Sequence, residues 1–221
     1  MKYLGLALYS EGRTDDYFLR PLLLRLCADI CLQEGQEPVD FGDVEALSHP
    51  PRLSDAPRHE RILAAASGHR DAWQILFIHG DGEGDPDAAW RDRVQPGIEA
   101  VQTHFAAAGR AVGVVPVRET ESWGLHDGQA LRSVFGTTLS DARLQLPGSA
   151  RAVEAAKDPK AILNRAFLQT GPNGQRQRKG VSPYLNALGE QVDLARLREL
   201  PSFSQLVDNL RAALRSMHVI A

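Results

Sequence analysis

The sequence predicts one α/β domain: a mostly parallel central sheet flanked by helices, with a helical C-terminal extension. Three observations carry that prediction. Short apolar runs at Tyr3 to Tyr9, Trp73 to His79 and Ala111 to Val117 lack the polar alternation of a sheet wetted on one face. Each breaks within two residues into acid or glycine. The segments between them repeat apolar residues at three- and four-residue steps. Strands covered on both faces and separated by helices belong to a parallel sheet. A chain of 221 residues suits a single domain, here with a core over about 1–125 and the extension over about 126–221.

Taken in order, Tyr3 to Tyr9 is a central strand ending in Ser10-Glu11-Gly12-Arg13. Thr14 offers an N-cap, Asp15 and Asp16 fill a first helical turn, and Leu19, Leu22, Leu23 and Leu26 follow at helical spacing. Pro38 to Leu47 is a weaker strand, and a proline-rich loop leads to a helix over Arg58 to Gly68. Trp73 to His79 is the clearest buried strand and breaks into Gly80-Asp81-Gly82-Glu83-Gly84-Asp85-Pro86-Asp87, with Asp87 as the expected helix cap. In the next helix Trp90, Val94, Ile98, Val101 and Phe105 share a face, with Pro96 placed to kink or split it. Ala111 to Val117 ends in Arg118-Glu119-Thr120-Glu121-Ser122-Trp123, read as extended. In the extension, Asp158 to Leu168 and Pro201 to Met217 are predicted helices and Gly171 to Gly180 a basic loop.

Composition narrows the function classes. The formal net charge is -3, so there is no generally basic coat, and contact with nucleic acid would need metal ions or local Lys/Arg patches. Cys27 and Cys31, four residues apart on a predicted helix, suggest reduced thiols acting as small apolar core residues. No stretch approaches the ~18–20 apolar residues of a membrane span. The first apolar run lacks a cleavage site, so a cytoplasmic protein with no membrane contact is expected.

In parallel α/β sheets, ligands bind beyond the carboxyl ends of the strands. Acids gather at three such ends: Glu11 with Asp15, then Asp81, Glu83 and Asp85, then Glu119 and Glu121. Taken singly, each has an ordinary explanation as a helix-terminal acid, turn residue or salt-bridge partner. Together, ionised carboxylates repel and call for a cation, and oxygen ligands favour Mg²⁺ or Mn²⁺. Such ions can clamp the attacking and leaving oxygens of a phosphodiester. No calcium-loop, dinucleotide, nucleophile-elbow or Walker pattern fits, Pro86 standing where a calcium loop needs glycine.

Glu-Gly at the end of a first strand, followed by acids at a later strand end, resembles the Toprim arrangement of topoisomerases, primases and overcoming-lysogenisation-defect nucleases. Glu11-Gly12-Arg13-Thr14-Asp15 resembles the Glu-Gly-x-Thr-Glu opening of an uncharacterised bacterial Toprim-like family. Glu119-Thr120-Glu121-Ser122-Trp123 resembles its acid-x-Trp motif, and Asp158-Pro159-Lys160 and Pro201-Ser202-Phe203 its later landmarks. The resemblance implies Glu11 as metal ligand or general acid/base, Asp15 in place of the second Glu, and Asp81 with Glu83 as the paired metal ligands. Glu83 departs from the paired aspartates, and Asp85 is an alternative carboxylate. The resemblance further implies an ABC/AAA-type ATPase partner and a place in anti-phage defence.

The resulting expectation is a Mg²⁺- or Mn²⁺-dependent nuclease acting on nucleic acid, DNA by expectation. Glu11, Asp81 and His79 are its catalytic candidates, and Glu11, Asp15, Asp81, Glu83, Asp85 and Glu121 its metal ligands. His79 is equally a structural hydrogen-bonding residue in this reading. Arg176, Arg178 and Lys179 are candidate contacts to the nucleic-acid backbone, and Lys157 and Lys160 could neutralise phosphate near the site. Trp123 is either a stacking platform or, by preference, a core aromatic. The alternative is a non-catalytic interaction or sensor subunit on the same fold.

Overall fold

The computed structural model describes residues 2–106 and 109–221. Four strands, β1 (Lys2–Tyr9), β2 (Val39–Ala46), β3 (Ile75–His79) and β4 (Arg110–Val114), form one all-parallel sheet in the order β2-β1-β3-β4. The chain thus moves to one side of β1 for β2 and to the other for β3, making a topological switch point where β1 and β3 lie side by side. Register brings Tyr9 beside Ile78 and His79 beside Val114, so the strand ends at the switch point are level.

Both faces of the sheet are covered, which is why the strands read as unbroken apolar runs. On one face Leu4, Leu6, Leu8, Ile75, Phe77, Val112 and Val114 join a single large core. Its helical wall is α1 (Arg13–Glu34) and the C-terminal helices. On the other face Ala7, Tyr9, Leu76, Ile78 and Ala111 meet α2 (Arg58–Gly68) and the helical stretch that starts at Pro86. That stretch is split. A short α3 (Pro86–Ala89) passes through a π turn at Trp90–Val94 into α4 (Gln95–Phe105). Gln95 N–H donates to Trp90 O across the π turn, just before Pro96, which has no N–H to give. The proline thus splits the helix as its sequence position suggests.

After β4 comes α5 (Glu121–Leu125), and the extension then runs through α6 (Gly128–Phe135), α7 (Asp141–Leu144), α8 (Ala150–Glu154), α9 (Pro159–Gln169), α10 (Gly174–Lys179), α11 (Leu185–Gln191), α12 (Leu194–Leu197) and α13 (Pro201–Ser216). It packs on the α1 face of the sheet and shares its core, with Trp123, Phe135, Phe167 and Phe203 buried among the strand leucines. Cys27 and Cys31 are free and buried in the same core. Burial pushes both thiols up, Cys31 to about 11 with help from Glu34, which fits the apolar role expected of them. Among the described residues no helix is long and apolar enough to cross a membrane.

Four local expectations are corrected. The N-cap of α1 is Gly12 rather than Thr14, because Asp15 reaches back to accept from the Gly12 N–H at 3.0 Å. Asp85, not Asp87, caps α3, accepting from Ala88 N–H at 2.9 Å. The last strand stops at Val114, and Glu119 to Trp123 is not extended: the chain turns there, and Glu121 begins α5. The stretch from Gly171 to Gly180 contains the helix α10, ended by Gly180 at φ +60.

Candidate metal centre

The switch point collects side chains from three directions. The Glu11-Gly12 turn after β1 swings Asp15 onto the first turn of α1, where the residue is 7% exposed. Its Oδ2 accepts from the Gly12 N–H, and its Oδ1 accepts from the Thr120 hydroxyl at 2.9 Å. Burial raises the pKa of Asp15. Asp81 adds to the rise, while His79 and the bonds from Thr120 and Gly12 oppose it.

His79, the last residue of β3, is fully buried between two carboxylates. Its Nδ1 stands 3.8 Å from Asp15 Oδ2 and its Nε2 3.2 Å from Asp81 Oδ1. The second separation is short, but the alignment a hydrogen bond requires is missing, and neither ring nitrogen has a partner. Asp81 Oδ1 is likewise buried and unpartnered. Leaving such groups unsatisfied costs about 1–3 kcal/mol each. Asp15, His79 and Asp81 each offer a ligand atom, all within 4.8 Å of one another. Two carboxylate oxygens and an imidazole nitrogen, two of the three donors orphaned inside the protein, suit a divalent cation.

The remaining acids are sorted by the fold. Glu121, the first residue of α5, is 8% exposed, and the Thr120 hydroxyl lies 3.4 Å from its Oε2, linking it to Asp15. Burial raises its pKa, with Glu119 and Asp15 adding to the effect. Glu11 does not join the cluster. Its Oε1 lies 3.6 Å from both Arg58 and Arg93, beside Gly80, where a Cβ would stand 3.7 Å from it. Glu83, at φ +51, turns outward and pairs with Arg93 at 2.9 Å, while Asp85 is spent on capping α3. Glu119 accepts from the Lys160 backbone N–H at 3.3 Å. Expected as ligands, Glu11, Glu83 and Asp85 are thus held elsewhere by arginines and a helix end.

Three residues of the site escape a reading of the sequence. Thr120 joins Asp15 to Glu121; its position between two acids is the one signal that could have found it. Arg58 donates to His79 O at 2.5 Å and to Arg93 O at 3.1 Å, and stacks over the Tyr9 ring at 5.5 Å. Arg93, placed by the π turn, donates to Asp81 O at 3.3 Å. Nothing in the sequence sets these two apart from other helix arginines.

The other candidates part company. Arg176 is occupied within the fold: it donates to the Tyr184 hydroxyl at 2.7 Å and to Phe135 O, and lies over the Phe167 and Tyr184 rings. Arg178 and Lys179 are exposed and line a cavity with Thr14, Glu121 and Lys160. Lys157 is exposed at the α8–α9 turn. Trp123 is fully buried, donating to Ser202 Oγ at 3.0 Å and meeting Phe203 edge-on, so it is a core aromatic and no stacking platform. No protein-family model, curated protein or solved structure matches this chain.

Proposed function

We propose that this protein is a divalent-metal-dependent phosphodiesterase acting on nucleic acid. The observation that carries the reading is His79: a fully buried imidazole with both nitrogens unpartnered, flanked by the carboxylates of Asp15 and Asp81 at a parallel-sheet switch point. In this reading Asp15, His79 and Asp81 hold the ion, and the imidazole favours Mn²⁺ over Mg²⁺ as the working metal. A bound divalent cation supplies charge neutralisation at the phosphoryl group and lowers the pKa of water.

The chain's own groups supply the rest. Gly12 N–H and Thr120 hold the Asp15 carboxylate in place. Arg58 and Arg93 set positive charge along the Glu11 side of the site, where phosphate charge develops. Glu11, beside Gly80, is the residue we assign to accept the proton of the attacking water. The test is a calorimetric titration of Mn²⁺ and Mg²⁺ into metal-free protein, followed by DNA cleavage with Mn²⁺ present. Asp81→Ala should abolish saturable Mn²⁺ uptake and lower cleavage by at least about 100-fold. Undiminished cleavage in that variant would sink the proposal.

A second reading, a non-catalytic interaction subunit, is favoured by the commitment of Glu11 to two arginines and of Asp85 to a helix cap. It expects an Asp81→Ala chain that still performs its cellular role. The ATPase partner implied by resemblance belongs to either reading, and co-purification of an ATPase with the tagged chain is its test.

A further inference from the structure

Beside the Asp15–His79–Asp81 cluster lies a cavity of about 210 Å³, walled by the start of α1, by α5 and α9, and by the end of α10. Its lining includes Thr14, Glu121, Lys160, Arg178, Lys179 and Ser182. Thr14 adjoins Asp15 in the chain, and Glu121 meets the Thr120 hydroxyl that holds Asp15, so the cavity is one side chain removed from the cluster. Among the described residues, Lys160, Arg178 and Lys179 make no ion pair within 4.0 Å. Nor do the hydroxyls of Thr14 and Ser182 hydrogen-bond to protein. In a chain of net charge -3, three cations outside any ion pair and two hydroxyls line one small cavity against the single acid Glu121, on which the Lys160 charge acts, an arrangement suited to an anion rich in acceptors.

We propose that this cavity binds the terminal phosphate of a nucleic-acid strand, so that the enzyme works from strand ends. The inference rests on the phosphodiesterase reading, which makes a nucleic-acid strand the source of the anion. Three considerations select an end over an internal backbone phosphate. At about 210 Å³ the cavity falls below the roughly 300–1,000 Å³ of whole-ligand pockets, so it takes one group of a larger substrate. A continuous backbone must also enter and leave, whereas a strand end only has to enter. A terminal phosphate, with its second negative charge, also matches a site with three cations better than an internal diester does.

The experiment measures binding of short single-stranded DNAs of one sequence, carrying a 5′-phosphate, a 3′-phosphate or hydroxyls at both ends, to the full chain in EDTA. One of the two phosphates should tighten binding roughly tenfold over the hydroxyl strand, with a steeper salt dependence. Lys160→Ala combined with Arg178→Ala should erase that difference, so that within the variant the phosphorylated strand binds no more tightly than the hydroxyl strand. Both side chains are exposed, so the variant keeps its fold. Equal binding of all three strands, or a preference that survives the double substitution, overturns the inference. Calorimetry with Mn²⁺ on the same preparations separates the two ideas. Intact metal uptake with no end preference removes the strand-end proposal alone. An end preference without metal uptake keeps the phosphate cavity and removes the metal reading.

Discussion

Thr120 contributes to the site through one hydroxyl, which donates to the buried Asp15 carboxylate and lies 3.4 Å from Glu121. Side chains that orient a metal ligand typically account for about 10–100-fold in metal affinity. Thr120→Val should therefore weaken Mn²⁺ binding by that amount in a calorimetric titration while leaving the circular dichroism spectrum unchanged. Full affinity in the variant would show that Asp15 is held without it. Glu121 makes a different prediction. Burial raises its folded-state pKa, so the stability contributed by the protonated acid is whole below the unfolded value and is lost as pH rises through the folded one. Glu121→Gln cannot ionise, so its melting temperature relative to wild type should climb as pH rises above the ordinary glutamate value of about 4.3. A difference that stays flat with pH would mean that the carboxylate is not the cause.

At the scale of elements, the loop between β3 and α3 does the positioning. Gly84 N–H donates to Val117 O at 2.9 Å and Glu83 N–H to Arg118 O at 3.2 Å, so this loop is laced to the segment that follows β4. Gly82 lies so close to that segment that a Cβ would stand 2.4 Å from both Pro116 O and Val117 O. Neither carbonyl can swing aside as a side chain would. Gly82→Ala should cost about 1–3 kcal/mol in denaturant unfolding and displace Asp81 enough to impair Mn²⁺ binding. Gly68, the last residue of α2, is the control: nothing lies within 4 Å of its added Cβ, and Gly68→Ala should be neutral or stabilising by up to about 1 kcal/mol. A Gly82→Ala protein as stable as the Gly68→Ala one would contradict the close approach.

For the whole molecule, the sheet has two helical coverings of unequal reach. Helices α2 and α4 cover one face, while α1 and the C-terminal helices cover the other within a single core. Phe203 of α13 is fully buried and meets Trp123 edge-on at 5.1 Å. Phe203→Ala should destabilise the entire chain by about 3–5 kcal/mol in one cooperative transition. A chain ended after Leu125 strips α1 and β4 of the C-terminal helices that share their core and should lack a cooperative melt. Independent folding of that fragment would show that the extension is an accessory to the core.

Much of this architecture was legible in local sequence. An unbroken apolar run such as Tyr3 to Tyr9 must be covered on both sides, and helical spacing in Arg58 to Gly68 or Pro201 to Met217 marks a buried stripe, because both patterns are set by the repeat of the backbone itself. The same reading put acids at three strand ends. Which of those acids face one another was decided by the tertiary structure alone. Asp15 and Thr120 are 105 residues apart in sequence, and Arg58 and Arg93 reach Glu11 from elements with no local link to it. A carboxylate can cap a helix, pair with a guanidinium or face a cation. Its type and spacing do not choose among these; the charges and donors that other elements bring within a few ångströms do. Thus Asp81 and His79 turn inward while Glu83 and Asp85, two and four residues on from Asp81, are drawn off by Arg93 and by the start of α3.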